Sequence, residues 1–264
     1  MPDNDNLRFA VLIDADNIPR NCLKGVLEEI AIYGTPTIKR IYGDWTSPNI
    51  GGWKMSLLEN AVTPVQQYGY TIGKNSTDSA MIIDAMDILY SGKVDGFVIV
   101  SSDSDFTRLA IRLREAGMKV IGIGEKKTPG AFIAACDKFI YIEVIRSNIT
   151  ERIEETPKSD GKKAKTKTAQ KQQKQKVPDN IVQLISDSLS DLCDISNNSD
   201  GGIFMGELGN LILKKQPDFD CRNFGFRSLS ALIKSLDRFE VEFRPTTDPN
   251  IKHPFVKEKD SVRE

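Results

Sequence analysis

The 264 residues, 39% hydrophobic and 28% charged, are enough to bury a full core and to form two domains. No stretch approaches about 18 uninterrupted apolar residues, which excludes a membrane-spanning helix, and the polar, acidic start MPDNDNLRF has none of the marks of a secretory signal. Four scattered cysteines without CxxC spacing, and a single histidine (His253) in a polar, proline-flanked tail, argue against zinc coordination and most histidine-dependent catalysis. They fit a reduced, cytoplasmic protein. The net charge of −1 is uneven: −2 over residues 1–150, +5 over 151–177 and −4 over 178–264. A basic connector therefore joins two mildly acidic parts.

In chain order, RFAVLID (8–14) is a near-continuous apolar run of strand length. NCLKGVLEEIAIYG (21–34) has helical spacing and stops at Gly34, and TPTIKRIYG (35–43) is a second strand. WKMSLLENAV (53–62) is a short helix, PVQQYGY (64–70) a weaker strand, and DSAMIIDAMDILYSG (78–92) a helix closed by Gly92. DGFVIVSSD (95–103) is a strand, FTRLAIRLREAG (106–117) a helix ending at Gly117, MKVIGIG (118–124) a strand, and KFIYIEV (138–144) the last strand. Apolar strands separated by helices predict a parallel sheet covered on both faces, a three-layer α/β/α, Rossmann-like domain over residues 1–147. Residues 148–178 read as a disordered Lys/Gln-rich linker, either a solvated spacer or a polycation that holds nucleic acid by counterion release. Residues 179–258 form a separate unit. Helical NIVQLISDSLSDLC, FMGELGNLILKK and FRSLSALIKSLD, followed by strand-like FEVEFRP and HPFVKE, give a winged-helix α+β pattern.

In such a sheet, ligands bind at the carboxyl ends of the strands where the strand order switches. Aspartates sit there: Asp14, Asp16 and Asn17 after the first strand, and Asp103 and Asp105 after VIVSS, with Ser102 between. Asp78 stands at the start of the 78–92 helix. One aspartate is explained by helix capping, worth about 1 kcal/mol; several converging on one edge are not. Gathered carboxylates repel unless a cation is present, and an all-oxygen cluster suits Mg²⁺ or Mn²⁺. Asp84 interrupts the apolar AMIIDAMDILY, rotated roughly 120° from Asp78, so it reads as a supporting or sheet-edge group rather than a ligand. Asp105 is either a ligand or a helix cap. Lys74, Lys39 and Arg40 for phosphate, and Tyr42 and Trp45 for stacking bases, complete a nuclease reading. LIDAD also matches the DxD of aspartate-dependent phosphatases, but Asn17-Ile18-Pro19 fits their pattern poorly, and about 145 residues is short for a DxD sugar transferase.

Three separated motifs, VLIDADN, KNSTDSAMIIDAMDILYSG and VIVSSDSDFTRLAIRLREAG, resemble the NYN domain, a branch of the PIN-like ribonucleases, over residues 7–145. The resemblance implies Mg²⁺- or Mn²⁺-dependent hydrolysis of RNA with an acidic centre at Asp14, Asp78 and Asp103, Asp105 beside it, and Asn17 as the Asn that follows the first acidic motif. The segment ending in PDFDCRNFGF (217–226) is similar to the LOTUS (OST-HTH) domain, which implies binding of RNA or of a protein partner. The expected function is a metal-dependent ribonuclease. The alternatives are a catalytically inactive RNA-binding regulator and an aspartate-dependent phosphatase.

Overall fold

The structure, a computed structural model, describes residues 7–47, 52–68, 76–147, 177–196, 202–245 and 252–259. The chain divides into two compact units, residues 1–158 and 159–264. The first holds β1 (Arg8–Asp14), α1 (Leu23–Ile30), β2 (Thr35–Gly43), α2 (Lys54–Asn60), β3 (Thr63–Gln66), α3 (Ser76–Ser91) and β4 (Gly96–Val100). It continues with α4 (Thr107–Glu115), β5 (Lys119–Gly124), α5 (Gly130–Ala135), β6 (Lys138–Tyr141) and a helical turn, α6, over 142–147.

The six strands are parallel, in the order β3-β2-β1-β4-β5-β6. The chain steps outward from β1 to β3, then returns to lay β4 against the other side of β1. That reversal opens a crevice at the carboxyl ends of β1 and β4. Strand periodicity splits the core in two. Phe9, Val11 and Ile13 of β1 face α1, α2 and α6, where Leu23, Val26, Leu57 and Ile145 are buried. Ala10 and Leu12 face α3, α4 and α5, against Met81, Ala85, Leu109 and Phe132. Burying each such Phe, Leu or Ile contributes about 1.5–3 kcal/mol. Helix α4 ends as its sequence predicts, with Gly117 in the left-handed region (φ 81°) that residues with a Cβ rarely adopt.

Two segments near the end of this unit depart from the sequence pattern. GAFIAA forms α5, too short to show a period, with Pro129 as its N-cap. The predicted last strand stops at Tyr141, and IEVIRS turns helical because Ile142 and Ile145, one helical turn apart, both reach the α1-side core.

The second unit holds α7 (Asp179–Ser196), β7 (Ile203–Phe204), α8 (Met205–Lys215), α9 (Leu229–Lys234), β8 (Phe239–Pro245) and β9 (Lys252–Glu258). The expected hairpin β8–β9 is present, and β7 adds a third antiparallel strand in the order β7-β9-β8. The predicted 226–237 helix is shorter, starting where Ser228 Oγ accepts from the Ala231 N–H. Phe219, Phe226, Leu232 and Val256 are core, with Phe224 and Leu229 half-buried against it. Asp220 caps the turn at Cys221–Phe224 and binds the Arg222 guanidinium (2.6 Å). That arginine is thereby committed to a carboxylate rather than presented to phosphate.

Candidate metal centre at the carboxyl edge of the sheet

Asp14 ends β1, and neighbouring strands on both sides hold its strand tip. The β1–β4 register pairs Ile13 with Val100, so the next residues, Asp14 and Ser101, come side by side. On the other flank Asp14 is opposite Tyr42, whose carbonyl accepts from the Ala15 N–H (3.0 Å). By strand parity Asp14 and Ser101 both lie on the α3 side, which is where Asp78 arrives.

Asp14 is 2% exposed, and its oxygens are occupied. Oδ1 accepts from the Asp16 N–H (3.1 Å). Oδ2 accepts from Asn17 Nδ2 (2.5 Å) and from the Ser101 hydroxyl (3.0 Å). Burial raises its pKa, and these hydrogen bonds oppose that rise. Ser101 in turn accepts from the Asp103 N–H (3.1 Å), so one buried hydroxyl joins the two acidic strand ends. The Gly124 backbone closes on this point; a Cβ there would meet the Ser101 carbonyl at 2.7 Å.

Asp78, Asp103 and Asp105 each offer a carboxylate oxygen, all within 4.8 Å of one another, the one such group among the described residues. Asp78 comes from the first turn of α3, and Asp103 and Asp105 from the turn into α4. Asp103 also accepts from the Asp105 N–H (2.9 Å), so it is both cap and cluster member. Partial burial, then the charges of Asp14, Asp103, Asp105 and Asp16, lift Asp78 to about 6. Oxygens bound at roughly 2.1 Å to a Mg²⁺-sized ion lie at most about 4.2 Å apart, so a small closure of this group would hold one. The donor set, all carboxylate, fits a hard divalent cation.

Several sequence-derived roles change. Asp14, expected as a ligand, is not among the three mutually close oxygens; its own accept from Asn17, Asp16 and Ser101. Ser102, expected as a supporting or substrate-steering residue, accepts from the Glu125 N–H (2.8 Å) and so fixes the end of β5. Ser101 was missed, although the period-2 pattern of GFVIVSS puts Ser101, not Ser102, on the side of Asp14.

The expected RNA contacts change more. Tyr42 is fully buried and donates its hydroxyl to Asp84, so no base can stack on it. Burial raises its pKa. Arg40, half-exposed, pairs with the same Asp84. Trp45 is half-buried, with its indole N–H on the Val65 carbonyl (2.9 Å), and Lys39 Nζ is bound to the Asn60 carbonyl. Lys74 lies outside the described residues. Asp16 is exposed beside the centre. Exposed cations at this edge that the sequence did not single out are Arg20 after β1, Arg108 in the first turn of α4 and Lys126 after β5. A groove at the opposite, amino end of the strands is lined by Leu7, Arg114, Asp95 and Asp137. Asp95 and Asp137 are bound there by Arg8 and Arg114, and the groove holds no cluster of three acids.

All four cysteines are free. Among the described residues no helix is long and apolar enough to cross a membrane.

The structural counterparts are modest. A protein of unknown function from Vibrio parahaemolyticus aligns with a TM-score of 0.46 and 20% identity, over 54% of this chain and 96% of that one. An uncharacterized protein of Nitrosomonas europaea, solved by NMR, aligns with a TM-score of 0.29 and 24% identity, over 40% and 97%. In sequence, an uncharacterized protein of Methanocaldococcus jannaschii is 27% identical over 121 residues. That is 44% of this chain and 47% of the other, so the chain spans about half the length of the curated relative it matches. The family profiles are more definite. The NYN domain matches residues 8–143, just over half the chain, and the OST-HTH/LOTUS domain matches 172–251. With its six-stranded parallel sheet and acidic carboxyl edge, the chain belongs to the NYN-domain family, of PIN-like nuclease fold, and carries an OST-HTH/LOTUS domain behind it.

Proposed function

We propose that this protein is a metal-dependent ribonuclease, acting endonucleolytically, whose LOTUS domain brings it to RNA. The observation that carries the reading is the convergence of Asp78, Asp103 and Asp105 at the strand-order switch of a nuclease-type fold. Asp78, Asp103 and Asp105 would hold a Mg²⁺ or Mn²⁺ ion. Such an ion supplies Lewis-acid polarisation of a phosphoryl oxygen and acidifies water at neutral pH.

The protein's own contribution is placement. Asp14, held by Ser101 and Asn17, adds fixed negative charge behind the cluster and orients the Asp103 backbone through Ser101. Asp16, exposed at the same edge, faces incoming substrate. Arg20, Arg108 and Lys126 offer phosphate contacts on the rim, a sequence-independent and salt-sensitive attraction.

The phosphatase alternative needs Asp14 as a nucleophile. Its burial and three hydrogen bonds argue against attack on a phosphomonoester. The inactive RNA-binding alternative shares the fold but not the chemistry. The test is cleavage of internally labelled single-stranded and structured RNA with Mg²⁺ or Mn²⁺, with and without chelator. The nuclease reading expects internal cuts that chelator abolishes. RNA that is bound but left intact with either metal favours the inactive regulator.

A further inference from the structure

The three carboxylates come from two kinds of support. β1 and β4 are hydrogen-bonded neighbours, and Ser101, next after that ladder, bonds both Asp14 and the Asp103 N–H, so these two acids are tied to the sheet. Asp78 rides on α3, which is outside the ladder. Its buried residues against the sheet, Met81, Ala85 and Ile88, are apolar. Apolar packing is non-directional and holds a helix against a sheet better than it fixes the helix along or about its axis. The neighbouring charges of Asp14, Asp103 and Asp105 also push Asp78 away from the edge it must reach.

Asp84 supplies direction. It lies six residues, about 9 Å, along α3 from Asp78. Its carboxylate accepts from the Tyr42 hydroxyl with one oxygen and from Arg40 with the other. Arg40 and Tyr42 alternate on β2, so both project to the α3 side. Tyr42 also ties the far side of the centre, since its carbonyl holds the Ala15 N–H next to Asp14. A single residue thus bonds to the β1 tip through its backbone and to α3 through its side chain.

We propose that Arg40, Tyr42 and Asp84 form a latch that sets the axial position and rotation of α3, holding Asp78 against Asp103 and Asp105 in a cation-ready arrangement. These are positioning residues, and Arg40 and Tyr42 act here rather than on RNA. The inference rests on the reading of Asp78, Asp103 and Asp105 as a divalent-cation site.

The test uses the full chain with Asp84→Asn, Asp84→Glu and the milder Tyr42→Phe. Its readouts are Mn²⁺ affinity by electron paramagnetic resonance, thermal midpoint, and amide hydrogen exchange at residues 79–82 against the β1 and β4 amides. Groups that orient metal ligands typically change affinity by about 10–100-fold when removed. Asp84→Asn, with one acceptor instead of two, is expected to weaken Mn²⁺ binding at least about tenfold and to speed exchange at 79–82 while the strands stay protected. Tyr42→Phe is expected to lose a few-fold. Asp84→Glu keeps the ion pair but lengthens it by one methylene. The latch predicts a midpoint near wild type with weakened Mn²⁺ binding, whereas a merely stabilising pair predicts wild-type values for both. Wild-type Mn²⁺ affinity in Asp84→Asn, or exchange raised equally in strands and helix, overturns the latch. If the wild-type protein itself binds no Mn²⁺, the cation-site reading fails. The exchange arm then still decides whether Asp84 fixes the start of α3.

Discussion

Charge is handled in opposite ways in the two units. In the C-terminal unit acids sit beside bases: Asp220 with Arg222, Asp191 with Lys215, Glu258 with Arg238, and Glu240 and Glu242 with Lys257. These pairs fix turns and strand neighbours, and each is what a stable surface would select. At the carboxyl edge of the N-terminal sheet, Asp78, Asp103 and Asp105 are gathered on one another with Asp14 behind them. That arrangement costs stability in the absence of a cation. The difference separates charge that serves the fold from charge that serves chemistry.

Replacement inside the cluster should have the largest effect. Asp103→Asn keeps an oxygen to accept from the Asp105 N–H, so the turn into α4 survives. Loss of a metal-binding carboxylate removes several kcal/mol of charge stabilisation, so RNA cleavage should fall at least about 100-fold while circular dichroism is unchanged. Next comes Ser101→Ala, which removes a donor from buried Asp14 and an acceptor from the Asp103 N–H. It should lower unfolding free energy by about 1–3 kcal/mol in urea melts and reduce cleavage, whereas Ser102→Ala should leave the Asp14 environment intact. In the other unit, Arg222→Ala removes the charged partner of the nearly buried Asp220 carboxylate and leaves it the backbone N–H of residue 222. It should destabilise that unit by a similar amount, about 1–3 kcal/mol, without changing cleavage of a short RNA.

A subtler contrast appears with pH. Asp78 is lifted to about 6 in the folded chain, above its ordinary carboxylate value of 3.8. Between the two values the folded state holds the extra proton, so stability without metal should fall as pH rises through about 4 to 6, then level off. Asp78→Asn should remove the part of that fall due to Asp78, leaving the smaller contribution of buried Asp14, whose pKa is also raised. The variant should melt higher than wild type at pH 7.5, by on the order of 1 kcal/mol after allowance for solvent screening, and match it below about pH 4. The smallest effect belongs to the exposed pairs: Lys257→Ala should give no resolvable shift in midpoint.

Much of this was legible beforehand. The apolar runs gave the parallel strands, and doubled aspartates after RFAVLID and GFVIVSS marked the edge where the strand order switches. The partners of buried polar groups were hidden. Tyr42 in KRIYG reads equally as a stacking residue or a core residue, and only the arrival of Asp84 across the α3 face decides it. Ser101 and Ser102 are chemically the same; strand parity and the β1–β4 register separate them. The Ile142–Ile145 helix alternates like a strand because Ile and Val serve both patterns, and the core on the α1 side selects the helix.

The central claim is that the aspartates at this edge form a divalent-cation site, and a Mn²⁺ titration at pH 7.5 of wild type beside Asp103→Asn tests it most directly. The account predicts saturable binding to wild type, weakened at least about tenfold in the variant and fading in wild type as the pH is lowered through about 6. Equal binding by the two proteins, or none by wild type, would contradict it.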